Sequence, residues 1–209
     1  MEKDTLTTPP LSMKQVAAVG QAAAIAASQA GHTLSRLLNF PVSITPSEVV
    51  SSRPGDIQAL PGGLEAPAIG VFVPFRGDLE GNTLLLFPEE EVLKLAGILS
   101  GVPAQQKDDL SLSTLIDVGN ILTGKLLAVL SNISGKVIVS LPPLLVQDMA
   151  GAILDSLMVD AGTWPNEVTT LVLDLADPAG IVITNPILVP GGSCLELFLE
   201  AADRLSAGQ

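Results

Sequence analysis

The stretch at residues 111–143 reads SLSTLIDVGNILTGKLLAVLSNISGKVIVSLPP and predicts a long helix that is followed by a strand and two prolines. At about 100° per residue, Ser113, Asp117 and Asn120 point to one side of this helix. A carboxylate one turn before a carboxamide can bind a cation and orient a water molecule, but an ordinary solvated face has the same pattern. The opposite side is an apolar stripe, and its residues are Leu115, Gly119, Leu122, Leu126 and Val129.

Length and composition limit the class of protein. The chain has 209 residues, of which 47% are hydrophobic and 3% aromatic, and it contains no tyrosine. It is long enough to bury a core, which Leu, Ile, Val and Ala must supply. Few aromatic side chains remain to stack on the bases of single-stranded nucleic acid. The net charge of −12 repels phosphate backbones and anionic membrane surfaces, so nucleic acid is not an expected partner.

The sequence predicts a cytoplasmic protein without membrane insertion. Residues 1–10 are acidic and polar, unlike the basic and apolar regions of a secretory signal. The apolar stretch at 16–30 is mostly alanine and is interrupted by Gln21, Ser28 and Gln29. It is therefore too short and too weakly hydrophobic to span a membrane.

Cysteine and histidine are nearly absent. Cys194 is the one cysteine, and it lies in the alternating run SCLELFLE at 193–200, which predicts a strand with the thiol packed as a small hydrophobe. His32 is the one histidine. A disulfide framework or a metal site built from several histidines and cysteines lacks the residues to form it. We therefore expect neither a metal ion nor a cofactor belonging to this chain.

Two stretches of the chain predict an internal duplication. VAAVGQAAAIAAS at 16–28 aligns with LIDVGNILTGKLL at 115–127, at a spacing of 99 residues. The first-half helix then lacks the acidic residue of the second, so we expect it to be a scaffold with a degenerate site. The aligned pairs are Ala18 with Asp117, Gly20 with Gly119 and Gln21 with Asn120.

A second alignment extends the duplication to the end of each half. GNTLLLFPE at 81–89 aligns with GSCLELFLE at 192–200. Together the two alignments predict a single domain over 1–209 that consists of repeated halves at about 12–101 and 110–206.

The first half reads as a helix, a strand, a loop, two strands and a second helix. Pro88 followed by three glutamates predicts that the second helix starts at Pro88 and ends by Gly101, since acidic residues stabilise the positive end of the helix dipole. The other predicted elements are a helix at 12–38, strands at 42–44, 68–75 and 83–87, a Pro- and Gly-rich loop at 53–63 and a turn at 77–81.

The second half repeats this order with one addition. Residues 148–158 carry apolar side chains at helical spacing and predict a short amphipathic helix. Strands are expected at 169–175, 180–188 and 194–198, before a terminal helix. The predicted fold class is α/β, also described as α+β, with a mixed or antiparallel sheet, pseudo-twofold symmetry and long helices packed on one face.

The residues of the exposed helical face match a family motif. The motif is Ser or Asp, three residues, Glu, two residues, Asn, then some twenty residues and Pro. Ser113, Asp117, Asn120 and Pro143 fit this spacing, with 22 residues between Asn120 and Pro143. In this motif, and in the segments GDLEGNTLLLFPEEEVLKLAGILSG and VQDMAGAILDSL, the chain resembles the CheC/CheX/FliY family of chemotaxis phosphatases.

The resemblance implies an activity and a partner. The family hydrolyses the aspartyl phosphate of CheY-like response regulators, and the regulator supplies the Mg²⁺ site. Asp117 would pair with the active-site lysine of the regulator, and Asn120 would position the attacking water. Ser113, Gly124 and Pro143 would be supporting positions. Asp117 is one methylene shorter than the family Glu, and Gly124 leaves room for the closer docking that a shorter side chain requires.

Other functions are compatible with the same residues. A noncatalytic adaptor would use the exposed face to bind a response regulator, a CheD-type deamidase or a flagellar switch component. The resemblance also places a CheD contact at 148–158, a segment that would otherwise be a helix packed on the sheet edge. A structural homodimer would bury Asp117 and Asn120. Individually, Ser113 would cap the helix start, and Pro143 would end a strand.

Overall fold

The computed structural model describes residues 12–37, 39–52, 63–100, 109–160, 168–179, 182–184, 187–190 and 192–207. Its helices are α1 (Met13–Leu37), α2 (Glu89–Ser100), α3 (Asp109–Ser134), α4 (Ala150–Asp160) and α5 (Gly192–Ala207). Its strands are β1 (Ser43–Ser52), β2 (Pro67–Gly77), β3 (Gly81–Pro88), β4 (Ile138–Ser140), β5 (Leu144–Met149), β6 (Val168–Ala176), β7 (Val182–Thr184) and β8 (Ile187–Pro190).

The strands form one antiparallel sheet with symmetrical order. The order is β1-β6-β8-β3-β2-β4, with β5 also paired to β2 and β7 to β6. Each of these pairings is antiparallel. The β3–β8 pair lies at the centre, and β1 of the first half pairs with β6 of the second, as β4 of the second half pairs with β2 of the first. The predicted fold class, an antiparallel sheet with pseudo-twofold symmetry, is confirmed.

One face of the sheet is covered by α1, α2, α3 and α5. These helices share a core with the strands, and alternate residues of β2, such as Val71 and Val73, are fully buried in it. Ala22, Ala26 and Ala30 of α1 are also buried, and their small side chains let α1 pack closely on α3. The long helices therefore lie on one face, as the sequence predicts, and aliphatic residues dominate the core.

The other face carries α4. Ile153 and Leu154 of this helix pack on Ala68, Leu84 and Leu86 of β2 and β3. The predicted position of this helix at the sheet edge is therefore wrong. A short amphipathic helix covers a face because its apolar stripe must be buried against other apolar side chains.

Several element boundaries differ from the prediction. The strand predicted at 42–44 is longer than expected, since β1 continues to Ser52, and the described residues of the strand predicted at 180–188 belong to β7 and β8. Pro88 ends β3, so α2 starts at Glu89. Asp148 and Met149 belong to β5, so α4 starts at Ala150 and not at Asp148 as predicted. Most of the predicted loop at 53–63 lies outside the described residues.

The strand predicted at 194–198 is wrong, because this segment belongs to α5. Leu197, Phe198 and Ala201 are fully buried, which is the spacing of a helical face rather than of a strand. The sequence alignment of 81–89 with 192–200 therefore equates a strand, β3, with a helix, α5, and is wrong. The structural counterparts are β3 and β8, each of which ends in proline before a helix begins.

One described helix is long and apolar enough to cross a membrane by length and composition. It is the segment Leu112–Ser134 of α3, of which 44% is buried inside the protein. This is weak evidence for a membrane span, since the core helix of a soluble protein passes the same test. Here the apolar residues of α3 are the ones that pack on the sheet and on α1 and α5.

Candidate functional site on helix α3

The exposed face of α3 contains the predicted site residues. Ser113, Asp117 and Asn120 are exposed, whereas Leu115 and Val118 between them are fully buried. Asp117 and Asn120 are separated by about 4.5 Å along the helix axis and by about 60° around it. The carboxylate and the carboxamide are therefore neighbours on one surface.

Ser113 does not cap the helix. Because α3 begins at Asp109, Ser113 is its fifth residue and lies in the second turn. The hydroxyl of a capping residue has to stand before the first turn, where the backbone amides lack partners. The prediction of a capping role is therefore wrong, and Ser113 belongs to the exposed face.

Gly119 holds this part of α3 against the sheet. A Cβ atom at Gly119 would lie 2.6 Å from Cγ1 of Val71 in β2, so only glycine permits this approach. At Gly20, the residue that the sequence aligns with Gly119, the nearest atom would be 3.8 Å away, an ordinary contact. The close approach to a strand is thus present at Gly119, next to the candidate site, and not at Gly20.

Gly124 lies one turn beyond Asn120 and leaves the surface open. A Cβ atom there would meet no atom of the described structure within 4 Å. A partner can therefore approach the backbone of α3 at this point without displacing a side chain.

Pro143 is not part of α3 and belongs to the connection between β4 and β5. Both strands pair with β2, and the amide of Leu141 in the connection donates to the carbonyl of Pro74, at 2.7 Å. Proline cannot donate to a strand ladder, so Pro142 and Pro143 separate β4 from β5. This agrees with the structural interpretation of Pro143 as a strand-ending residue.

The counterpart of the site on α1 differs from the sequence alignment. Ala18, aligned with Asp117, is buried at 7% exposure, whereas Asp117 is exposed. Most buried positions of α1 and α3 coincide at a spacing of 96 residues and equally at a spacing of 100, and fewer coincide at 99. Asp117 and Asn120 correspond to Gln21 and Ala24 at the first spacing, and to Ala17 and Gly20 at the second. In both cases the first-half helix has no carboxylate at the Asp position and no carboxamide at the Asn position.

The chemistry available on the α3 face is positioning. Asp117 supplies one carboxylate and Asn120 supplies a carbonyl acceptor and two N–H donors. Within the described residues, no group of three or more His, Cys, Asp or Glu side chains could hold a metal ion. A face with these groups can pair with a cation and orient a water molecule or a phosphoryl oxygen.

A groove that the sequence did not predict lies on the opposite side of the sheet, beside α4. Its volume is about 710 Å³, and its lining residues include Phe72, Pro74, Leu144, Val146 and Arg76. The groove arises where β5 joins β2, and these strands are distant in sequence. It does not include the residues of the α3 face.

Comparison with known structures identifies the same fold in FliY and in FliM. FliY from Thermotoga maritima has a TM-score of 0.76 at 17% identity, with 96% of this chain and 100% of that chain covered. The FliM middle domain from Vibrio alginolyticus has a TM-score of 0.61 at 13% identity, with coverage of 88% and 99%.

A chain in the FliG–FliM complex from H. pylori has a TM-score of 0.63 at 14% identity, and 90% of this chain and 99% of that chain are covered. No protein-family model matches the sequence. At these identities the likeness establishes the fold. The fold that the resemblance to the CheC/CheX/FliY family implies is therefore confirmed: this chain has the fold of FliY and of the FliM middle domain.

Proposed function

We propose that the α3 face binds a phosphorylated CheY-like response regulator and promotes hydrolysis of its aspartyl phosphate. The observation that carries this proposal is the joint exposure of Asp117 and Asn120, one turn apart on a helix that Gly119 holds against the sheet. The open surface at Gly124 is where the regulator would approach. The fold shared with FliY supports a role in chemotaxis or the flagellar switch.

In the proposed reaction the chain orients groups and forms no covalent intermediate. A water oxygen attacks phosphorus, the bond from phosphorus to the aspartyl oxygen breaks, and the regulator's aspartate leaves as a carboxylate. The proton lost by the water is carried by the phosphate product. The carbonyl of Asn120 would accept a hydrogen bond from the attacking water, and its N–H groups would donate to a phosphoryl oxygen. Such positioning accounts for most of the catalysis of phosphoryl transfer.

Asp117 would fix the position of the regulator on α3. Its carboxylate would pair with a lysine in the active site of the regulator, which would also carry the Mg²⁺ ion. An aspartate has a shorter reach than a glutamate, so the two backbones must come closer for the same ion pair. The space at Gly124 permits that approach.

The test is the rate of decay of a phosphorylated regulator from the same organism. Asn120→Ala should abolish the acceleration, because no carboxamide remains to orient water. Asn132→Ala is the matched control, since Asn132 is also an exposed asparagine of α3 but lies near its last residue. Asp117→Ala should weaken binding of the regulator in calorimetry. Equal rates of regulator decay with wild type, Asn120→Ala and Asn132→Ala would contradict the proposed reaction.

A noncatalytic adaptor is the second candidate. The observation in its favour is that the FliM middle domain has this fold over nearly its whole length, and a structure of FliM in complex with FliG is known. An adaptor of this kind would bind a response regulator or a flagellar switch component without turnover. Binding that is unaffected by Asn120→Ala, together with unchanged decay of the phosphoryl group, would favour it.

Two further contacts stay proposals. A CheD-type deamidase would bind at 148–158, where Asp148, Met149 and Asp155 are exposed while Ile153 and Leu154 pack on the sheet. A homodimer would use a different surface if the α3 face is to bind a regulator. Calorimetry with CheD and the sedimentation of the free chain would test these contacts separately.

A further inference from the structure

A buried pair of hydroxyl groups connects the proposed site to the centre of the sheet. Thr123 of α3 and Thr83 of β3 are both 0% exposed, and their Oγ1 atoms are 3.3 Å apart. Thr83 Oγ1 also lies 3.4 Å from the carbonyl oxygen of Val73 in β2. A hydroxyl has one proton, so Thr83 either donates to Val73 and accepts from Thr123, or donates to Thr123 itself. Both arrangements join α3 to β3 by a hydrogen bond.

This hydrogen bond lies in the turn of α3 that carries the site carboxamide. Thr123 follows Asn120 by three residues, which is about 4.5 Å along the axis. The contact of Gly119 with Val71 sets the height of α3 above the sheet, but van der Waals contacts depend only weakly on direction. A hydrogen bond is directional, so it constrains the rotation of the helix about its own axis. That rotation decides where the Asn120 side chain points.

The first half of the protein has no such group at the corresponding place. At spacings of 96 and 100 residues, at which most buried positions of the two long helices coincide, Thr123 corresponds to Ala27 and to Ala23, respectively. These alanines are buried at 1% and 3% exposure, and neither has a hydroxyl. The helix with the site residues therefore has a buried hydroxyl where the helix without them has a methyl group.

We propose that the hydrogen bond between Thr83 and Thr123 aims Asn120 at the phosphoryl group by fixing the rotation of α3. The inference rests on the proposed function and adds a residue to it. Thr123 is a positioning residue, because a fully buried side chain cannot touch the regulator.

The test compares Thr123→Val, which removes the hydroxyl and keeps the shape, with Thr123→Ser, which keeps the hydroxyl. The matched control is Thr170→Val: Thr170 is also 0% exposed, and its hydroxyl donates to the carbonyl of Val50 at 3.4 Å, between β6 and β1. We expect Thr123→Val to lower kcat about tenfold with KM nearly unchanged, since misplacement of a catalytic group by ~1 Å is enough for losses of this size. Thr123→Ser and Thr170→Val should keep the kcat of the wild type.

Two kinetic results would overturn the inference while the proposed function stands. One is a wild-type kcat for Thr123→Val when Asn120→Ala is inactive. The other is an equal loss in Thr170→Val, which would show that any buried hydroxyl has the same general effect on folding. Denaturant unfolding of each variant verifies that it is folded under the assay conditions.

A measurement without the regulator separates this inference from the proposed function. In NMR of the free protein, Thr123→Val should change the residual dipolar couplings of the α3 backbone amides relative to those of the sheet, because these couplings report the orientation of the helix, and Thr123→Ser and Thr170→Val should not. Unchanged couplings in Thr123→Val overturn the inference. If Asn120→Ala leaves the decay of the regulator unaltered, the proposed function fails, and the positioning role is decided by this NMR comparison alone.

Discussion

In the proposed complex, the carboxylate of Asp117 would decide how closely the regulator must dock on α3. The side chain is exposed, and the nearby Gly124 leaves the backbone accessible. If the carboxylate pairs with a lysine of the regulator, an added methylene would relieve the need for close approach. The length of this side chain is therefore a direct probe of the proposed contact.

Asp117→Glu should increase the rate of regulator decay by about threefold to tenfold, because the longer side chain brings the ion pair into reach without distortion. Asp155→Glu on α4 is the control, since Asp155 is exposed on the opposite face of the sheet and should leave the rate unchanged. A fall to the rate of Asp117→Ala would show that the surface is fitted to aspartate.

The two glycines of α3 should respond in opposite ways to alanine. Gly119→Ala should destabilise the protein by about 1–3 kcal/mol, because its methyl group would overlap Val71. Gly124→Ala should stabilise it by up to about 1 kcal/mol, since alanine favours a helix and the methyl group meets open space. Denaturant unfolding measures both. Equal effects of the two substitutions would contradict the close approach of α3 to β2.

At the scale of elements, α3 and α4 lie on opposite faces of one sheet and belong to separate hydrophobic cores. The exposed face of α3 is proposed to meet the regulator, whereas α4 closes a second, smaller core. A change inside α4 should therefore alter stability and leave the proposed reaction intact.

Ile153→Ala should lower the free energy of unfolding by about 2–5 kcal/mol, the usual cost of truncating a fully buried aliphatic side chain. The kcat for regulator decay should stay at the wild-type value at temperatures where the variant is folded. Asp155→Ala, at an exposed position of the same helix, should change neither quantity. Loss of kcat in Ile153→Ala would show that α4 supports the site on α3.

The helices show which features can be predicted from local sequence. The exposed face of α3 follows from the positions of Ser113, Asp117 and Asn120, because helical periodicity is a local property. In α5, the alternation around Leu195 and Glu196 imitates a strand, and only the tertiary burial of later residues reveals the helix.

The alignment of α1 with α3 failed for a different reason. A helix rich in alanine fits several registers almost equally well, so Ala18 seemed equivalent to Asp117 although one is buried and the other exposed. The close contact between Gly119 and Val71, and the groove beside α4, each involve segments that are far apart in the sequence. Local patterns therefore could not predict their geometry.

At the scale of the whole molecule, strands of one half pair with strands of the other half. β1 pairs with β6 of the other half, and β4 pairs with β2. Each half alone would leave these strands without their partners and would expose the apolar face of the sheet. The sheet therefore depends on both halves at once.

Fragments 12–101 and 109–207, produced separately, should not unfold cooperatively, whereas the full chain should show a single transition. Circular dichroism during thermal and denaturant unfolding measures this, and mixing the fragments should restore some of the transition. A cooperative transition in either isolated fragment would contradict the dependence of the halves on each other.

The central claim is that the face of α3 containing Asp117 and Asn120 promotes loss of the phosphoryl group from a response regulator. Its most direct test is the decay of a phosphorylated CheY-like regulator from the same organism, in large excess over the full chain. Wild type should accelerate the decay through many turnovers. With Asn120→Ala the phosphorylated regulator should decay at its intrinsic rate. No acceleration by wild type with any regulator of that organism, or equal acceleration by Asn120→Ala, would contradict the claim.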